Sequence, residues 1–504
     1  MADNIFNPYL PDYEYIPDAE PHIVGDRVYI YGSHDLFNAF SFCMGDYVCW
    51  SAPLNDLGNW KYEGVIYKRE QDPSAKGPRF LLGLAAPDMV QGPDGRFYLY
   101  YFMGGTGKIS VAVCDEPAGK FEYYGDVSYS DAVPIGLRGE PFQFDPGVFM
   151  DDDGKLYLYT GFALRNNPIL LLGRKPTDFG PMCYELDTGD MLTVKNGPIY
   201  IGVGGYKDGN TKGYEGHLFL EASSMRKFDG RYYFIYSSMN SHELCYAVSD
   251  SPTGGFSYGG VLVSNADIGI DGIKNVKRAR NNSGNTHGSL ICLNGKYYVF
   301  YHRQTNRKQS SRQACAEEIS FVDGKFLQAK MTSQSFTDGA LSGKGEYPTS
   351  IACNLYGNDG TRFLSMIKHL KKNTPYLTQV CRDIAPDKAR RKSLQYIENF
   401  CNGCIAGFKY FDLTNIHKIS VVVSGNADGV IEIWSLDKSL DNKLFDRKNG
   451  KKICEIKVNS ANKKTIFGDY INAQKTFDKD NNYKALYFCF KGKGNLRFYS
   501  FIME

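Results

Sequence analysis

Three acidic residues stand almost the same distance ahead of three tyrosines. Asp18 precedes Tyr29 by 11 residues, Asp145 precedes Tyr157 by 12, and Glu221 precedes Tyr233 by 12. Burying a carboxylate without a partner is costly or forces it to take up a proton. An acid that returns at one point of a repeated phrase is therefore expected to have a task. Three carboxylates brought together suit cleavage of a glycosidic bond. One stays ionised and takes a proton from water, and one keeps its proton near neutral pH and gives it to the departing oxygen. The third raises the pKa of that donor, because ionising the donor would bring like charges together. Taken singly, each acid also reads as a turn residue; the shared offset is what unites them.

The phrase that carries the tyrosines occurs five times: "GDRVYIYGS", "PDGRFYLYY", "DGKLYLYTG", "FDGRYYFIYSS" and "LNGKYYVFYHR". Each opens on a tight-turn pair containing Gly and Asp or Asn, as hairpins require. Each continues with aromatic and aliphatic residues alternating at period two, as in an inner strand. The marker tyrosines Tyr29, Tyr98, Tyr157, Tyr233 and Tyr298 are 69, 59, 76 and 65 residues apart. A unit of that length holds about four strands, the size of one propeller blade. The expected architecture is all-β: a five-bladed β-propeller over residues 1–325, then a linker and a β-sandwich over 326–504. The sandwich is suggested by short strand-like runs that resume after a loop-rich passage and the charged stretch "RDIAPDKARRKSLQYIENF". In a propeller, loops at one end converge on a central channel, so acids at equivalent points of different blades meet despite their separation in sequence.

The composition is that of an ordinary soluble globular protein, 42% hydrophobic and 23% charged among 504 residues. Its 37 Tyr, 32 Phe and 53 Gly favour strands and turns. A net charge of +2 without a basic stripe argues against nucleic acid as a partner. No apolar run reaches the roughly 18 residues of a membrane span. The start lacks the pattern of a secretory signal. With 13 scattered cysteines, the chain reads as cytoplasmic, or as secreted if a leader has been removed. The close pair Cys401–Asn–Gly–Cys404 lacks the second pair of a zinc site. Trp50 and Trp434 are expected in cores, although Trp50 could also stack on a sugar.

Several phrases resemble glycoside hydrolase family 43: "NPYLP", "DAEPHIVGDRVYIYGSHD", "FDPGVFMDDDGKLYLYTG", "LEASSMRKFDGRYYFIYS" and "NTHGSLICLNGKYYVFYHR", together covering about residues 7–320. The resemblance implies an inverting five-bladed propeller acting on arabinose- and xylose-containing glycans. It places Asp18 on the general base, Asp145 on the pKa-modulating aspartate and Glu221 on the general acid. Here Pro21 follows Glu20 rather than the first aspartate, so a shifted alignment would make Glu20 the base. Glu215 in "YEGH" competes with Glu221. The resemblance also implies sugar contacts for Asp88 in "LAAPDMV", for His34 and Asp35 in "GSHD" and for Arg303. His287 is placed near a metal ion bound mainly through water, calcium being the ion that suits oxygen ligands; no cofactor is required. The C-terminal part resembles a family 6 carbohydrate-binding module, with a packing role favoured. The partner implied is an oligosaccharide or polysaccharide; the oligomeric state stays open. Competing readings are a propeller that binds glycans without cutting them, or one that cleaves fructan or galactan.

Overall fold

The computed structural model describes residues 6–78, 81–164, 171–207, 212–365, 370–371, 373–380, 394–441, 445–471 and 483–504. The charged stretch noted above lies largely outside them. Five antiparallel sheets follow one another along the chain, each pairing its strands in sequence order. The first comprises Glu20–Val24, Arg27–Tyr31, Tyr47–Pro53 and Lys61–Tyr67. The second opens with Leu84–Gln91, the third with Gly147–Met150, the fourth with Phe219–Phe228 and the fifth with Leu290–Leu293. First strands of neighbouring sheets lie against one another, which makes these sheets the blades of a propeller and their first strands the wall of its axis. The fold is a five-bladed β-propeller with a C-terminal β-domain.

Each marker tyrosine lies in the second strand of its blade, and the alternation has a direct physical cause. Leu156 and Leu158 pack with Tyr98 and Tyr100 of the second blade. Tyr157 and Tyr159, pointing the other way, pack with Phe219 and Phe234 of the fourth. A blade is buried on both faces, so both sets of side chains are apolar, and large aromatic rings fill the wedge between blades. The same arrangement returns at every junction, including the closure of blade five on blade one through Val28, Ile30, Leu293 and Phe300. The turns match their sequences. Asp229–Gly230 has φ of 51° and 77°, and Asn294–Gly295 has 52° and 78°, the doubly left-handed pair that two-residue hairpins need.

Asn7 secures the outer side of blade five, donating to Ala316 O at 2.9 Å and accepting from Ala316 N at 3.0 Å. The C-terminal domain is one hydrogen-bonded network of nine strands. Two long strands, Lys418–Asp437 and Tyr483–Met503, run antiparallel through it, and Phe488, Phe498 and Phe501 fill its core with Val421, Ile431 and Ile433. Trp434 packs on Phe445 in a smaller cluster, as expected for a core tryptophan. No helix among the described residues is long and apolar enough to cross a membrane.

Candidate active site

Asp18 and Asp145 each stand two residues ahead of the first strand of their blade, at Glu20 and Gly147. Both adopt left-handed backbone, with φ of 58° and 46°, a conformation that Asp tolerates better than most residues. It turns the chain into the axis just before the strand begins. In blade four the acid lies inside the strand. The register slips on both sides of Glu221, and the next residue, Ala222, takes φ of 70°. This bulge re-aims the glutamate, as bulges beside reactive groups do.

The three acids converge. His287 Nδ1 lies 3.5 Å from Asp145 Oδ2 and 3.9 Å from Asp18 Oδ1. Arg312, at the start of the third strand of blade five, donates from Nη1 to Asp18 Oδ1 at 3.0 Å. His302 is a neutral ring. Its Nε2–H donates to Asn285 O at 2.8 Å and its Nδ1 accepts from the Asp18 N–H at 3.4 Å. Burial and the neighbouring Arg312 hold His302 down to about 3.

These surroundings separate the acids chemically. Burial alone would raise Asp18, but Arg312 and then His287 outweigh it and hold the carboxyl below its ordinary range. Asp145 is pushed up by burial and by the charge of Asp18, against the pull of His287. Glu221, half-buried as a residue, is pushed up to about 8 by desolvation and then by Asp145. At neutral pH one acid is thus ionised and another holds a proton, the division that acid–base cleavage requires. Burial would lower His287, but its hydrogen bond to Asp145 and the charges of Asp145 and Asp18 raise it to about 9, leaving a cation between the two aspartates.

Other residues singled out in the sequence fall elsewhere. Asp88 is fully buried, accepting from Met89 N and Val148 N at 2.8 Å each, with His22 Nε2 at 2.7 Å. Arg303 reaches the C-terminal domain, donating to Ala352 O at 3.0 Å and to Ser350 O. His34 is buried, with Glu14 Oε1 at 3.0 Å and Asp46 O at 2.9 Å. Trp50 donates to that same Glu14 at 2.9 Å and packs in a core. The Asp35 carboxylate accepts from Arg312 Nε at 2.8 Å and Nη2 at 3.0 Å, and so orients that arginine. Of the competing acids, Glu215 is exposed and caps the Gly213 N–H at 2.8 Å. Glu20 is buried and pairs with Arg226 and with Ser224 Oγ at 3.1 Å. Burial and Asp88 push Glu20 to about 7 against Arg226.

One observation bears on a cation at the axis. Glu20 Oε1 is buried without a hydrogen-bond partner, and ligand atoms of Glu20, His22 and Asp88 all lie within 4.8 Å of one another. Two carboxylates and an imidazole fit a divalent ion. His287 is not among these three groups; its Nδ1 lies nearest Asp145 and Asp18.

Sequence reasoning missed Arg312 and His302, which have no counterpart in the acid pattern. The place of His287 was open to it: His287 precedes Tyr298 by 11 residues, the offset of Asp18 from Tyr29. Blade five therefore puts a cation in the slot where blades one, three and four put acids.

A propeller whose axis joins an ionised carboxylate, a protonated one and a cation beside them is built as a glycosidase. The family model for glycosyl hydrolases family 43 matches residues 13–174. A xylosidase/arabinosidase of Thermoclostridium stercorarium is 43% identical over 509 residues, covering 100% of this chain and 99% of its own. A β-xylosidase of Xylanibacter ruminicola is 30% identical, covering 58% of this chain and 89% of its own. A xylosidase/arabinosidase of Bacteroides ovatus is 29% identical over 58% of this chain and 87% of its own. This chain belongs to glycoside hydrolase family 43, whose members cleave with inversion and need no cofactor.

Proposed function

We propose that the enzyme releases xylose and arabinose from xylan- and arabinan-type glycans, with Asp18 as general base, Glu221 as general acid and Asp145 as the modulator of Glu221. The observation that carries the assignment is the opposite bias of Asp18 and Glu221 around one axis: Arg312 and His287 favour the carboxylate, whereas desolvation and Asp145 favour the carboxylic acid. The relatives named above supply the sugar class.

In this reading Asp18 takes a proton from a water on one face of the sugar as that water attacks the anomeric carbon. Glu221 gives its proton to the departing oxygen on the opposite face, so the configuration inverts. Arg312 fixes the Asp18 carboxylate by a charge-assisted hydrogen bond, and Asp35 and His302 fix Arg312 and the Asp18 backbone in turn. Asp145 retains the Glu221 proton until the leaving oxygen draws it off. A divalent ion, if bound, would be held through Glu20, His22 and Asp88 and would supply positive charge there.

A panel of nitrophenyl glycosides, with NMR of the first-formed anomer, tests the reading. The β-D-xyloside and α-L-arabinofuranoside should be turned over with inverted product. Asp18→Asn should lower kcat by about 10²–10⁴-fold, the range for removing one acid–base group. Glu221→Gln should lose as much on xylobiose but far less on a dinitrophenyl glycoside, whose leaving group needs no proton. Wild-type rates in both variants would overturn the assignment.

A further inference from the structure

The pair Cys401 and Cys404, which plays no part in the chemistry above, is held in a reactive arrangement on the C-terminal domain. Cys401 ends the strand Gln395–Cys401, and Cys404 stands just before Ile405–Asp412. Asn402 and Gly403 make the turn between them. The Cys404 N–H donates to Cys401 O at 2.9 Å, and Gly403 takes φ of 80°. A β-turn of this kind brings its end Cα atoms within about 7 Å, overlapping the range that a disulfide spans. The sulfurs themselves are 3.5 Å apart.

The turn is anchored on three sides. Gly403 N donates to Phe490 O at 2.8 Å, Phe490 N donates to Cys404 O at 3.1 Å, and Gly492 N donates to Asn402 Oδ1 at 3.2 Å. The positive φ of Gly403 and the 2.2 Å approach of its ideal Cβ position to Asn358 Nδ2 both favour glycine there. The two thiols therefore meet because the backbone holds them, with little left to order on bond formation. They also differ in kind. Cys401 is half-exposed and Cys404 is buried. The hydrogen bond from Cys404 pulls the Cys401 thiol down to about 7, while burial and Cys401 push Cys404 up. An accessible, readily ionised sulfur next to a buried one is the layout of an attacking thiol and a resolving thiol.

We propose that Cys401 and Cys404 form a dithiol site that closes reversibly to an intramolecular disulfide by exchange with a small-molecule disulfide. The Cys401 thiolate attacks one sulfur of the disulfide and expels the other half as a thiolate, leaving a mixed disulfide on Cys401. Cys404 then gives up its proton to that thiolate and attacks Cys401 Sγ, expelling the second half. The protein loses two electrons and two protons, and the disulfide becomes two thiols. Closing a ring this short removes little chain entropy from the unfolded state, so the site serves exchange rather than stapling the fold.

The test exposes the native full-length chain to oxidised glutathione, blocks remaining thiols with iodoacetamide and maps peptides by mass. The expected result is loss of two hydrogens from the peptide holding residues 401–404, with loss of alkylation at both cysteines, reversed by reduced glutathione. Cys404→Ser should instead leave one glutathione on Cys401. Among the described cysteines only Cys114 and Cys292 are also partly exposed, and they should stay alkylated. The proposal is overturned by full alkylation of Cys401 and Cys404 in the wild type, by a mixed disulfide on Cys401 that never closes, or by pairing of either sulfur with Cys381.

Discussion

Arg312 and Asp18 lie 294 positions apart in the chain, yet their side chains meet at 3.0 Å inside the propeller axis. Asp35 grips the same guanidinium from behind at 2.8 Å, and the Phe42 ring covers it with the guanidinium carbon 4.7 Å from the ring centre. A bidentate, stacked arginine of this kind is not replaceable by lysine. Arg312→Lys should lower kcat/KM by about tenfold or more, and Arg312→Met by more again. In Arg312→Met the Asp18 carboxyl should rise, because the guanidinium that holds it down is gone. The acid limb of the pH–rate profile should move to higher pH accordingly. An unmoved limb would mean that Asp18 does not control it.

The wild-type profile of kcat/KM should be a bell. Asp18 must be ionised, so activity is lost as pH falls through its depressed pKa. Glu221 must be protonated, so activity is lost as pH rises through about 8. Asp145→Asn removes a negative charge beside Glu221, so the basic limb should shift to lower pH while the acid limb stays nearly in place. Initial rates over pH 3–10 on a nitrophenyl xyloside would check both limbs.

Glu221 should also weaken the fold that carries it. Its folded pKa of about 8 lies above its ordinary 4.5, so between those values the folded chain holds a proton that the unfolded chain has released. Stability from this group therefore falls as pH rises across that window. Glu221→Gln removes the effect. The variant should melt a few degrees above wild type at pH 8 and close to it at pH 4, the exchange of stability for activity common in reactive sites. Calorimetry at the two pH values decides the matter; an equal shift at both would rule out the titration of Glu221 as its cause.

The two parts of the chain are expected to stand or fall together. Arg280, between blades four and five, is buried against Asp267 at 3.2 Å and Asp271 at 2.8 Å, and reaches Asp441 of the C-terminal domain at 3.7 Å. Asp441 also holds Lys409 at 2.9 Å and accepts from Tyr410 at 2.6 Å. Asp441→Ala leaves the buried Lys409 cation unpaired and should cost about 3–5 kcal/mol in denaturant unfolding. A chain ending at residue 325 strips Arg303 of Ser350 and Ala352 as well, and should be recovered largely insoluble.

Much of this was legible along the chain. Blade count, hairpin turns and the alternation of the second strands are local properties, set by residues within ten positions of one another, and the tyrosine phrases carry them. The places of Asp18, Asp145 and Glu221 were legible because a propeller converts equal offsets in sequence into one level of the axis. Which protein groups Asp88 meets was not legible in the same way. A strand offers successive side chains to opposite sides, and the register of blade two slips between Ala85 and Asp88, so a motif match does not reveal which neighbour the carboxylate meets.

The sequence by itself determined the repeating unit, its turns and which residue types recur at its inner end, because those depend on local backbone preference and on burial of both blade faces. The family resemblance assigned base and acid to Asp18 and Glu221, but only the tertiary structure holds the physical cause of their opposite bias. That depends on Arg312, His287 and Asp145 approaching across blades distant in sequence, and electrostatic coupling follows separation through space and the exclusion of water, neither of which the linear order of residues contains.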